Sequence, residues 1–154
     1  MDFNDDSNQL IFALGDQFFV TCFNGSPQFE IRDLETGRVI KSVKADLGGV
    51  LLSDSQIEDY LAPFESDYRK VVKSNMKPPK VWPMILKVMV SDNQIWVFGA
   101  RGENGHAFRQ YDSTGQLKKR GFIDSIPQVI RGDAYYSLKV GADDVVFLVK
   151  NQLK

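Results

Sequence analysis

Hydrophobic and polar residues alternate in short runs along most of the chain, and glycine-bearing turns cut the runs. A period of two marks strands with one wet face. The clearest stretch is 93–124. A Trp-centred run, QIWVFGA (94–100), is followed by the Gly-rich RGENG (101–105) and a second run, HAFRQYD (106–112). An STG turn then leads to QLKKRGFID (116–124). Three antiparallel strands of a meander are predicted there. The start of the chain repeats the plan with LIFAL (10–14), QFFVTCF (17–23), FEIRDL (29–34) and RVIKSVK (38–44). Gly15-Asp16, the loop 24–28 and Glu35-Thr36-Gly37 separate these predicted strands. Asp16–Val20 matches Asn93–Val97, Phe29–Asp33 matches Phe108–Asp112, and Thr36-Gly37 matches Thr114-Gly115. Four-stranded units repeating at about 40–50 residues are a propeller signal.

Between the two units the period changes. In 53–75 the apolar positions Ile57, Tyr60, Leu61, Phe64, Tyr68, Val71 and Val72 form one stripe at helical spacing. Ser55 with Glu58 suits a capping box. Pro63 implies a kink or the first turn of a second helix, and Pro78-Pro79 closes the segment. VWPMILKVMVS (81–91) supplies the inner strand of the second unit. The third unit offers only three strands, 127–131, 134–140 and 145–153. The expected organisation is an all-β partial β-propeller of two to three four-stranded antiparallel blades with one helical insertion. Its parts are a polar, disordered tail (1–9), a blade (10–52), the insertion (53–80), a blade (81–124) and an incomplete blade (125–154).

Three features make the chain resemble the six-bladed β-propeller superfamily, in its NHL-like and bacterial lipoprotein-like branches. One is the pair of strand-turn signatures Ile31-Arg32-Asp33-Leu34-Glu35-Thr36-Gly37 and Gln110-Tyr111-Asp112-Ser113-Thr114-Gly115. Another is Asp92-Asn93-Gln94-Ile95-Trp96-Val97, similar to the opening of a blade's second strand. The third is the helical insertion that ends in Pro-Pro and then Trp82-Pro83. The resemblance spans about residues 10–154. It implies strands stacked as blades about an axis, and loops 24–28, 101–106 and 141–144 on one face. Related lactonases and lyases hold a divalent metal at the centre of that face. No residue pattern here matches such a site, so no metal ligand or cofactor is carried over. Propellers have about four to eight blades. An arc of three is expected to be half of a longer propeller, to be completed by a second copy, giving a homodimer, or to be completed by another chain.

Composition adds mainly exclusions. Over 154 residues the formal net charge is -1, which gives no electrostatic case for nucleic acid or an anionic membrane. No stretch is long and apolar enough to span a bilayer. MDFNDDSNQ is the opposite of a signal peptide, so the chain as written is expected to be soluble, with no compartment specified. Cys22 is the single cysteine, which rules out an internal disulfide. His106 is the single histidine, at the end of RGENGH, and its candidate roles are general base or metal ligand. The candidate binding residues are Asn24, Arg101, Glu103, Asn104, His106, Asp143 and Asp144, all in the loops expected on one face. No catalytic constellation can be named. The expectation is a non-enzymatic module binding protein or a small ligand through that face. The alternative is a metal-dependent lyase or lactonase.

Overall fold

The computed structural model describes residues 9–48, 62, 66–75 and 84–153. Eleven strands occur among them: β1 (Leu10–Leu14), β2 (Phe18–Phe23), β3 (Gln28–Asp33), β4 (Val39–Lys44), β5 (Lys87–Ser91), β6 (Gln94–Gly102), β7 (Gly105–Asp112), β8 (Leu117–Ile123), β9 (Val129–Arg131), β10 (Ala134–Val140) and β11 (Val146–Gln152). They form three antiparallel sheets, each from consecutive strands: β1-β2-β3-β4, β5-β6-β7-β8 and β9-β10-β11. The segments 17–44 and 94–124 therefore share no sheet. The architecture is an all-β partial propeller of three blade-like sheets. A helix, α1 (Ser66–Asn75), lies within the predicted insertion and carries Asp67 in its first turn, where a carboxylate suits the helix dipole. The predicted cap at Ser55 and Glu58, the break at Pro63, Pro78-Pro79 and Trp82 lie outside the described residues, as do 1–8 of the predicted tail.

Burial explains the stacking order. In β2 and β3 one face is apolar, and Phe18, Val20, Cys22, Phe29 and Ile31 are buried. They pack with Val88, Ile95, Val97, Ala107 and Tyr111 of the second sheet in one core cluster. Phe29 meets Tyr111 edge to face, ring centroids 5.1 Å apart, a favoured aromatic geometry. The other face of the second sheet carries Trp96, Phe98, Phe108 and Ile123, which pack with Ile130, Tyr135 and Leu153 of the third unit. The second sheet is thus covered on both sides, which is why β6 is a continuous apolar run rather than an alternating one. Polar ties reinforce the second contact: Lys87 Nζ donates to Pro127 O at 2.8 Å, Ser91 Oγ to Ile130 O at 2.9 Å and Lys119 Nζ to Leu153 O at 3.2 Å. The innermost strands β1 and β5 pack side by side.

The internal repeat holds with one shift. Phe29 and Phe108 each face the following sheet, and Asp33 and Asp112 each begin the last turn of their sheet. The match of Asp16–Val20 to Asn93–Val97 is displaced by one residue. Trp96 faces the third sheet, whereas Phe19 points away from the second sheet, between the inward Phe18 and Val20. The turns account for this. Leu14 pairs with Phe19 across four residues, but Ser91 pairs with Gln94 across Asp92-Asn93 alone. Those two residues have φ of 52° and 56°, the tight mirror-image turn suited to hairpins. A slip of one residue sends every side chain to the other face.

Candidate functional site

The hairpins β2–β3, β6–β7 and β10–β11 lie at one end of the stack, because the β1–β2, β5–β6 and β9–β10 turns meet at the other: Gly15 after β1 abuts Val90 of β5, and the Gly132 N–H after β9 donates to Asp92 Oδ2 after β5 at 3.4 Å. The predicted binding residues belong to these three hairpins. Their environments differ. Asn24 is buried at 6 % exposure. Its Oδ1 accepts the Gln9 N–H at 3.1 Å, its N–H donates to Gln9 O at 3.1 Å, and its carbonyl accepts the Ile85 N–H at 3.1 Å. It ties the start of β1 to the entry of the second sheet, so its polar groups serve the fold.

The predicted Gly-rich loop 101–105 is tighter than expected. β6 runs on through Gly102 and β7 starts at Gly105, leaving Glu103-Asn104 as a two-residue turn. Gly105 has φ +99°, and a Cβ there would lie 2.5 Å from Ile123 O, so both conformation and space require glycine. His106 is consequently a strand residue opposite Arg101. Its Nδ1 lies 3.0 Å from Gly99 O. A carbonyl only accepts, so Nδ1 carries the proton and donates. This bond spans the irregularity between Phe98 and Arg101. Arg101 is likewise engaged, with Nη1 donating to Asp124 O at 2.5 Å. Asp143 and Asp144 are exposed in the β10–β11 turn, with Asp144 at φ 57°. No hydrogen bond or ion pair joins Arg101, Glu103, Asn104 or His106 to Asp143 or Asp144 among the described residues. Nor do three His, Cys, Asp or Glu side chains among the described residues stand together as a metal would need.

At the opposite end lies a groove of about 540 Å³, lined by Asp16, Gln17, Phe18, Asp33, Leu34, Glu35, Ile40 and Ser113. Sequence reasoning treated Asp16, Asp33 and Glu35 only as turn residues. The signal that would have found them is their recurrence on turns at the same end of one sheet. Asp33 accepts from Thr36 N–H and Thr36 Oγ1, both at 2.7 Å. These bonds, the hydroxyl foremost, hold its carboxyl below the usual carboxylate range. A general base works best with a pKa near the working pH, so this carboxylate suits charge recognition better than proton transfer. Asp112 in the second sheet repeats the arrangement. It accepts from Thr114 Oγ1 at 2.7 Å, Thr114 N–H at 3.0 Å and Gln116 N–H at 3.0 Å, and pairs with Lys118 Nζ at 3.0 Å.

The outward faces of the end sheets are apolar and exposed. On the first sheet Leu10, Phe12, Leu14 and Phe23 stand exposed, with Phe12 at 71 %. On the third, Val129, Leu138, Val140, Val146 and Leu148 do so, with Leu148 at 65 %. Cross-strand registers put each set on one face: Leu10 opposite Phe23 and Leu14 opposite Phe19; Leu138 opposite Leu148 and Val140 opposite Val146. No helix of the described residues is long and apolar enough to cross a membrane. No protein-family model matches the chain, and no curated protein matches it.

Proposed function

We propose that the chain is a non-enzymatic β-propeller module that binds protein, related in architecture to the six-bladed NHL-like propellers, and that its end sheets are covered by further sheets. The observation that carries this reading is the pair of contiguous apolar faces, one on each end sheet. Patches of this kind on a soluble chain are normally interaction surfaces. The third sheet adds to it, since among the described residues it has three strands and β11 is its edge, where the other sheets have a fourth strand. The hairpin end and the acidic groove are secondary recognition surfaces, built from turns on a rigid scaffold.

Metal analysis separates this reading from a metal-dependent lyase or lactonase. The purified chain and its His106→Ala variant are expected to carry no stoichiometric divalent ion and to fold alike. A stoichiometric ion in the parent that disappears in the variant overturns the non-enzymatic reading.

A further inference from the structure

We infer that the partner covering both end faces is a second copy of this chain, docked head to tail twice, so that three sheets from each copy close one ring of six. This rests on the propeller reading above and names its partner.

Complementarity in kind is the first argument. In the internal contacts, rings on one face meet aliphatic side chains and one tyrosine on the next. Phe18 and Phe29 pack with Val88, Ile95, Val97, Ala107 and Tyr111, and Trp96, Phe98 and Phe108 pack with Ile130, Tyr135 and Leu153. The two open faces follow the same rule. The first sheet presents Phe12, Phe19 and Phe23, while the third presents Val129, Tyr136, Leu138, Val140, Val146 and Leu148. Each open face therefore fits the other, and any second copy supplies both.

Charge leaves the apolar part of the contact free. The outward row of β1, Leu10, Phe12 and Leu14, contains no charge. On β3 the outward Glu30 and Arg32 are already paired with each other. The other outward charges, Lys44 on the first sheet and Arg131 and Lys150 on the third, are exposed and stand at or next to the ends of their rows. Geometry also allows closure. A head-to-tail contact closes when its rotation divides a full turn, and six blades fall within the four to eight that propellers use. Area completes the case. At roughly 100 Å² per large half-exposed side chain, each face offers about 500 Å², and a ring with two such contacts buries on the order of 2,000 Å², as a stable dimer needs.

Analytical ultracentrifugation of the full chain tests this, with Phe12→Lys on the head face and Leu148→Asp on the tail face. Both positions are largely exposed within one copy, and circular dichroism checks that both variants fold. The parent is expected at twice the 17.4 kDa of one chain. Each variant alone should associate about 100-fold more weakly, because every contact then has one spoiled side. Mixing the two variants should restore association, since one of the two contacts is then made of unaltered faces. A parent that stays monomeric at 100 times the concentration used for the variants, or that forms open polymers, overturns the ring. So do folded variants that still dimerise alone, or a mixture that stays as monomeric as its components. A monomeric parent without bound metal leaves the binding-module reading standing and assigns the cover to sheets of another or a longer polypeptide.

Discussion

Strands β6 and β11 are close in composition and opposite in surroundings. In β6, Ile95, Trp96, Val97 and Phe98 are all buried, because a sheet lies on either side. In β11, Val146 and Leu148, on the outward face, are each more than half exposed. An uninterrupted apolar run asks for cover on both faces, and among the described residues only the middle of the stack supplies it. The difference lies in what stands next to the strand, not in the strand itself.

Truncation should separate the two regions most sharply. Phe98→Ala, in the middle sheet at 0 % exposure, is expected to cost about 3–5 kcal/mol of unfolding free energy. Leu148→Ala, measured in dilute solution, should cost under about 1 kcal/mol. Urea unfolding reads both, and equal losses would break the comparison.

The twin glycine turns sharpen it. Gly115 has φ +76°, and a Cβ there would lie 2.6 Å from Val43 Cγ2 of the first sheet; Gly37 has φ +68° and open space. Gly115→Ala should therefore cost about 2–4 kcal/mol, from backbone strain plus collision. Gly37→Ala should cost about 1 kcal/mol from strain alone. If the two unfold alike, the turn of the second sheet does not press on the first.

Acid should act on the middle sheet through Asp112. The Thr114 hydroxyl, the Gln116 N–H and Lys118 hold its carboxyl well below the carboxylate range. A depressed folded value means that its contribution is complete above the unfolded value near pH ~4 and is lost as pH falls toward the folded one. Asp112→Asn should flatten the acid limb of the urea midpoint more than Asp33→Asn, because Asp33 has fewer partners. An unchanged limb would remove the carboxylate from the account. The smallest effect concerns Cys22, whose thiol burial pushes up to about 12. Thiol reagents at neutral pH should label it only as the first sheet opens. Labelling faster than global unfolding would show the end sheet loosening before the middle one.

Nearly every strand was legible, because short alternating runs between Gly, Asp and Thr turns leave few other solutions; β2 and β3 show this most plainly. Three things were not. The hairpin at Glu103-Asn104 read as a loop, since two glycines and an asparagine look the same in a wide loop as in a tight turn whose Gly105 touches Ile123. The one-residue shift between Phe19 and Trp96 depended on turn length, which alternation does not encode. Asn24 looked like a surface loop residue, because its partners at Gln9 and Ile85 are remote in sequence. The candidate binding residues came from loop composition, and the acidic groove came from the meeting of three separate turns, which no single stretch announces.

Each sheet is completed by strands that follow one another directly. A nascent polypeptide leaving the ribosome can thus finish its first sheet before the second has been translated. The exposed turn at Asp143-Asp144 joins two strands of one sheet and lies beyond their paired register. Evolution, or an engineer, has room to vary that turn while leaving the stack intact.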